Sequence, residues 1–147
     1  SCRRHAILRT MTGFDITRKA LDDSGKQITK IFEGLPVNLR DAKVTPQAMS
    51  PREIVQHLAE CYTALKKHAA GQEHEWGTFQ LGIADFDAAY AATMALRAEA
   101  VALAMTSEEA AKASLDYVVI HDAYHVGQMA LLRLEQEPGW DPYSLYA

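Results

Sequence analysis

The amino-acid sequence predicts an all-α protein, an antiparallel bundle of four helices. Apolar residues recur at spacings of three and four along four long stretches, which is the period of amphipathic helices. Strand signals are weak, because Val118-Val119-Ile120 is the only β-branched run of three and helix-type periodicity surrounds it. The connections between the four stretches are of modest length, and such connections favour antiparallel neighbours.

The first two predicted helices differ in how clearly the sequence marks their ends. The first covers residues 14–32, is weakened in the middle by Asp22-Asp23-Ser24-Gly25, which allows a kink there, and ends before Pro36. The second begins at Ser50-Pro51-Arg52-Glu53, which combines a capping box with proline at the first helical position. Its apolar positions continue to a stop near Gly71.

The third and fourth predicted helices follow a loop with three glycines over residues 71–84. The third runs from about Asp85 to Met105 and is rich in alanine, a strong helix former that permits close approach of neighbours. The fourth begins at a second capping box, Thr106-Ser107-Glu108-Glu109, or near Ser114, and ends before Pro138.

Length and charge limit the classes of function. A chain of 147 residues predicts one domain over 1–147, with 1–13 as a loosely ordered N-terminal segment. Lys and Arg total 15 against 19 Asp and Glu, and the resulting net charge of −4 argues against a nucleic-acid partner. No apolar run approaches the roughly 20 residues of a membrane span. Two cysteines, Cys2 and Cys61, and no apolar secretion signal indicate a reducing cytoplasm.

The residues that carry chemistry are three histidines. His121 and His125 are four residues apart, so on a helix both imidazoles lie on one face, at a spacing that suits one metal ion. His57 lies on the apolar stripe of the second helix, where a polar ring needs a partner. A metal held by His57, His121 and His125 satisfies all three and leaves an open position, as in catalytic sites. The alternative is histidines with unrelated roles.

Other residues near the histidines could take part in the site or have an ordinary structural role. Cys61, one turn from His57, is a fourth ligand, a redox-sensitive thiol or, more simply, a small core residue. Glu60 and Asp122 either hydrogen-bond the ligand imidazoles or, as we expect, face solvent. His74 lies in the loop and is expected to be solvated. Gln128 lies on the stripe of His125 and is a candidate to orient a bound nucleophile.

Two segments together carry a family resemblance. MSPREIVQHLAE, at 49–60, followed by HDAYHVGQMALLRL, at 121–134, resembles the DinB-like (YfiT-like) family of metalloenzymes. In that family a four-helix bundle binds a metal through one histidine of an H-L-A-E second helix and two of an H-x-x-x-H-x-G-Q fourth helix. His57, His121 and His125 match these positions, and Gly127 and Gln128 match the G-Q pair.

The resemblance implies a divalent metal such as zinc or nickel, and a homodimer. It also implies transfer of a low-molecular-weight thiol to an electrophile, or a related hydrolysis, in which the metal lowers the pKa of a bound thiol or water. It does not select a substrate. A non-catalytic, metal-binding or ligand-binding, stress-related dimer is the alternative.

Overall fold

The computed structural model describes residues 10–147, and it contains helices and their connections but no strand in that range. The long helices are α1 (Gly13–Phe32), α2 (Pro51–Ala69) and α3 (Phe86–Ala104). A fourth helical stretch, α4, joins Glu108–Ser114, a π-helical segment Leu115–Ile120, and His121–Gln136. Short 3-10 turns lie at Val37–Leu39 and Pro142–Tyr146. The all-α prediction is confirmed for this range, and most of the expected loose segment 1–13 lies outside it.

Side-chain caps set the helix starts. Ser50 Oγ accepts from the Glu53 amide at 3.2 Å, and a Glu53 carboxylate oxygen accepts from the Ser50 amide at 2.8 Å, so the predicted capping box forms. Such a cap is worth about 1 kcal/mol. Asp85 caps α3 by accepting from the Ala88 amide at 2.9 Å. The α4 cap is Ser107, whose hydroxyl accepts from the Ala110 amide at 3.0 Å, and not Thr106.

The weak middle of α1 does not interrupt the helix, and a neighbouring helix explains why. Arg97 of α3 donates to the Leu21 carbonyl at 2.7 Å and to Ser24 Oγ at 2.9 Å. A Cβ on Gly25 would lie 2.6 Å from Arg97 Nη1, so only glycine leaves room for the guanidinium. The Ser-Gly pair that weakens the isolated helix is therefore the place where α3 reaches α1.

The apolar core lies between the four helices. Helix α2 packs along α3, and α1 packs along the last segment of α4, while the π-helical segment contacts both α1 and α2. Each fully buried aliphatic side chain contributes about 1.5–3 kcal/mol of transfer free energy. The largest fully buried side chains come from α1, α2, the 3-10 turn before α2, and α4; they include Leu21, Ile28, Ile31, Leu39, Ile54, Leu58, Tyr62, Leu65, Val118 and Met129.

A charged pair is buried inside this core. Asp122 of α4 is 0% exposed, and its carboxylate accepts from Arg97 Nε at 3.0 Å and Nη2 at 2.8 Å. It also accepts from the Tyr62 hydroxyl at 2.6 Å and from Ser24 Oγ at 2.9 Å. We expected Asp122 to face solvent, and this expectation is wrong. Asp122 joins side chains of α1, α2 and α3 to α4, and it follows His121 directly in the chain. A buried carboxylate needs such donors, because its desolvation is otherwise uncompensated.

Along the described part of the chain, no helix has the length and apolar character required to cross a membrane.

Candidate metal centre

Three imidazole rings lie together where α2 meets α4. The His57 ring centroid lies 5.8 Å from that of His121 and 5.1 Å from that of His125. His57 comes from the second turn of α2, fixed by the cap at Ser50. On α4, His121 directly follows the π-helical segment Leu115–Ile120, and His125 lies one turn later. π-Helical turns inside α-helices occur frequently at functional sites.

The Nδ1 side of each ring faces an oxygen. His121 Nδ1 lies 2.8 Å from the Asp116 carbonyl, which can only accept, so Nδ1 is the protonated nitrogen. His125 Nδ1 lies 2.7 Å from Gln128 Oε1, and His57 Nδ1 lies 3.9 Å from a Glu60 carboxylate oxygen. Metal-binding histidines ordinarily donate their second N–H to such oxygens. With Nδ1 as the donor, the uncharged form of the His121 ring, and that of the His125 ring, carries its lone pair on Nε2.

The Nε2 side of the His57 ring meets the thiol of Cys61. Cys61 Sγ lies 3.6 Å from His57 Nε2, and ligand atoms of His57, Cys61 and His121 all lie within 4.8 Å of one another. His125 is not in that group of three. Its Nε2 is buried and has no hydrogen-bond partner among the described residues. The sequence predicted three histidines as ligands and left Cys61 open as a fourth ligand or a core residue; the structure places Cys61 beside His57 and His121.

Burial favours the uncharged forms of His57, His125 and Cys61. It lowers the pKa of His125 to about 4, and, with a contribution from nearby His121, it lowers the pKa of His57. Both rings are therefore neutral at pH 7 and their lone pairs are available to a cation. Burial, together with the negative charges of Glu60 and Asp122, raises the pKa of Cys61 to about 12. The thiol therefore keeps its proton unless a cation binds beside it.

A cavity opens beside the rings. Its volume is about 360 Å³, and His57, His121 and His125 form one wall. Gln128 lies on its edge, where its Oε1 accepts from His125 and its Nε2 donates to the Tyr124 hydroxyl at 3.3 Å. The remaining lining residues are Gln47, Met49 and Ile120. Gln128 thus holds a ring of the centre and has its amide at the cavity.

A second, larger cavity adjoins the other side of His57. Its volume is about 690 Å³, and it lies between α2 and the loop before α3. Gln56 ties that loop down, since its amide donates to the Phe79 carbonyl at 2.7 Å and its Oε1 accepts from the Leu81 amide at 3.1 Å. With this polar side chain engaged, much of the remaining wall is apolar, including Val55 and Ile83.

The loop 71–84 covers the centre, and its contacts show that two expectations, an exposed Glu60 and a solvated His74, are wrong. Glu60, expected to face solvent, is 6% exposed and accepts from His74 Nε2 at 2.8 Å and from the Gly77 amide at 2.7 Å. Burial acts to raise the pKa of Glu60, but these two hydrogen bonds, together with the charge interactions with His74 and His57, lower it. His74, expected to be solvated, has a side chain only 5% exposed. The carboxylate beside His57 is therefore ionised and held in place.

Trp76 of the same loop stacks against the centre. Its ring lies 6.1 Å from both His57 and His121, nearly parallel to the latter at 21°. The Trp76 ring also stacks on the ring of Tyr117, with centroids 6.2 Å apart, and meets the ring of His74 edge-on, with centroids 5.0 Å apart. The centre is thus bordered by indole on the loop side and by the two cavities elsewhere.

Two residues important to this region received no role from the sequence. Arg97 and Tyr62 hold Asp122, the neighbour of His121. A signal for Arg97 was present: Ala89, Thr93, Ala100 and Ala104 recur at helical spacing on the buried side of α3, and Arg97 falls on that stripe. A charge on a buried stripe requires a buried counter-charge.

The chain matches no family model, and no curated protein or solved structure is significantly similar to it.

Proposed function

We propose that this protein is a metal-dependent enzyme of the DinB-like kind, an antiparallel four-helix bundle that holds one divalent ion, zinc or nickel, with His57, His121 and His125. The observation that carries the proposal is the orientation of the three rings: each has an oxygen on its Nδ1 side, and the Nε2 of His125 is buried without a partner. Neutral imidazoles prepared in this way are the usual ligands of these metals.

The reaction class proposed is transfer of a small thiol to an electrophile, or a related hydrolysis. A bound divalent ion supplies Lewis acidity that makes a thiol or water nucleophilic near pH 7. The residues of the chain supply the rest. Gln128 presents an amide at the 360 Å³ cavity, where it can orient the nucleophile. The 690 Å³ cavity on the other side of His57 has both apolar and charged residues in its wall and can hold the electrophile. A metal-binding protein without catalysis is the second candidate, favoured by the burial of His125.

Metal content tests the proposal. Tag-free protein, purified without added metal, is analysed for metals and then titrated with zinc and with nickel after chelation. We expect about one ion per chain, retained in His68→Ala and lost in His121→Ala. His68 is a matched control, because it lies on α2 with a side chain 43% exposed, facing Glu109. Wild-type protein that takes up neither metal would overturn the proposal.

Activity separates the two candidate functions. Metal-loaded protein is assayed with several small thiols and electrophiles, and in parallel for ester and amide hydrolysis. Turnover that disappears in His125→Ala supports the enzyme. Full metal occupancy with no turnover under any combination favours the metal-binding protein, and turnover that survives His125→Ala refutes the metal mechanism.

We also propose a homodimer, formed through the exposed face of α4. Ile120, Tyr124, Leu131 and Leu134 are 59%, 62%, 60% and 53% exposed. With Gly127 between them they recur at spacings of four and three, the seam of a helix pair. The seam has no charged residue, and an apolar stripe of this length marks an association site. A second copy of the chain offers the same self-complementary seam.

Sedimentation tests the dimer. The wild type is expected to sediment as a dimer, and Leu131→Glu as a monomer. Val37→Glu is the matched control, since Val37 is 73% exposed but lies outside the seam. A wild-type monomer at all concentrations, or a dimer unaffected by Leu131→Glu, contradicts this interface.

A further inference from the structure

The proposed function gives no task to the thiol of Cys61, a potential metal ligand beside His57 and His121. Cys61 lies one helical turn after His57 on α2, on the same face, and is 0% exposed. It is a free cysteine, and its sulfur faces the imidazole of His57 rather than the apolar core alone.

The position of the sulfur fits a shared metal ion. Zinc binds sulfur at about 2.3 Å and imidazole nitrogen at about 2.0–2.1 Å, so two such ligands at the tetrahedral angle lie about 3.6 Å apart. Cys61 Sγ and His57 Nε2 are 3.6 Å apart. The ligand atoms of His57, Cys61 and His121 are also mutually within 4.8 Å, so the third member of the group lies within reach of the same ion.

A second observation concerns His125, whose ring is in contact with that of His57. His125 is 2% exposed, and its Nδ1 is held by Gln128, so its Nε2 points away from that amide. The ring meets the His57 ring edge-to-face, with centroids 5.1 Å apart and planes at 75°. The buried Nε2 has no hydrogen-bond partner in residues 10–147. A lone pair buried in this way costs free energy unless a cation or donor meets it.

We propose that Cys61 binds the metal as a thiolate, together with His57, His121 and His125; this inference rests on the proposed metal site. On binding, the Cys61 S–H bond breaks, the sulfur forms a bond to the ion with its electron pair, and the proton leaves to solvent. No oxidant or reductant takes part. A thiolate in the set selects thiophilic ions such as zinc, nickel and copper over magnesium, calcium and manganese.

The fourth protein ligand also changes how a substrate reaches the metal. Four protein ligands complete the tetrahedral set of zinc, so a substrate thiol or water enters by expanding the coordination to five or by displacing a ligand. The 360 Å³ cavity beside the histidines is where such a fifth ligand has room. A site with Cys61 bound is therefore more closed than the three-histidine site predicted from the sequence.

Cobalt(II) tests the proposal through a signal specific to thiolate. A Cys2→Ser chain, which retains Cys61 as its only cysteine, is stripped with chelator and titrated with cobalt. A thiolate ligand produces a charge-transfer band in the near ultraviolet, whereas imidazole ligands do not. We expect the band at one cobalt per chain, lost on adding Cys61→Ser and retained on adding Thr63→Ala. We also expect Cys61→Ser to weaken zinc binding by more than about tenfold.

The outcomes separate this inference from the proposed function. Suppose that one cobalt binds per chain without the band, and that Cys61→Ser binds zinc as tightly as the chain that retains Cys61. This result overturns the role of Cys61 and leaves the three-histidine site standing. A chain that binds neither cobalt nor zinc overturns both. The band in the Cys2→Ser chain is itself decisive, so the test does not depend on folding of the Cys61 variant.

Discussion

Replacing Asp122 by Asn removes one charge from the core while almost preserving shape. The amide oxygen can still accept from Arg97 and Ser24, and the amide nitrogen can donate to the Tyr62 hydroxyl, which is able to accept as well as donate. What is lost is the negative charge opposite Arg97, whose side chain is only 9% exposed. Asp122→Asn therefore isolates the electrostatic part of the network.

The expected cost follows from the burial of the pair. Removing one partner of a buried ion pair costs about 3–5 kcal/mol, because the other charge stays buried without compensation. Since Asn keeps the hydrogen bonds, we expect the lower end, about 3 kcal/mol. For a chain of this size that lowers the melting temperature by about 6–12 °C. Asp87→Asn is the matched control: Asp87 pairs with Arg40 at 3.1 Å but is 75% exposed, so its loss costs under about 1 kcal/mol.

The assay is urea unfolding of chelated protein, followed by circular dichroism and extrapolated linearly to water. Chelation keeps metal binding out of the comparison, since Asp122 follows His121 directly in the chain. Arg97→Met and the double variant complete a cycle, and we expect a coupling energy above about 1 kcal/mol, the double variant losing less than the sum of the singles. An Asp122→Asn chain as stable as Asp87→Asn would refute the reasoning, because the pair's desolvation would then cancel its attraction.

Three further predictions concern the centre and α1. In chelated protein, the depressed pKa of His125 makes the free energy of unfolding depend on pH: the contribution of His125 is fully present above about pH 6.5 and is lost as the pH falls to about 4, by up to about 3 kcal/mol. Urea unfolding should therefore show a flatter pH dependence in His125→Gln than in the wild type. Equal slopes in the two proteins would contradict this. Nickel or cobalt, but not zinc, should quench the fluorescence of Trp76 in a Trp140→Phe chain, because the indole lies 6.1 Å from the rings of His57 and His121. Unchanged emission at full metal occupancy would place the ion elsewhere. Gly25→Ala should destabilise the protein by about 1–3 kcal/mol, because the new Cβ displaces the buried guanidinium of Arg97. Gly127→Ala, whose Cβ would meet no atom within 4 Å, should be neutral or stabilising in thermal melts. The reverse order of stability would show that the Arg97 guanidinium shifts freely.

Local patterns were enough to predict the helices. The start of α2 follows from Ser50 and Glu53, whose side chains and backbone amides are three residues apart and need no other element. The fourth helix had two predicted starts, the capping box at 106–109 or a start near Ser114, and in the structure it begins at Glu108 with Ser107 as its cap. The π-helical segment that precedes His121 left no signal that distinguishes it from ordinary helix in the sequence.

Two expectations about this region are wrong, and both depended on segments outside the residue's own helix. The spacing of His121 and His125 puts both on one face of α4 whatever surrounds it. Whether Glu60 and Asp122 face water depends on what packs against them, and loop 71–84 and Arg97 respectively cover them. Both residues were therefore placed in solvent by sequence reasoning and are buried in the structure.

The sequence by itself determined that the chain is helical, where α2 begins, and that three histidines lie on apolar helix faces, because these properties arise from contacts within three or four residues. Only the tertiary structure decided that Asp122 meets Arg97, that Glu60 holds the covering loop, and that the His57 ring of α2 lies 5.1 Å from the His125 ring of α4. Those relations depend on the rotation and register of one helix against another, and a helical period of 3.6 residues leaves both open.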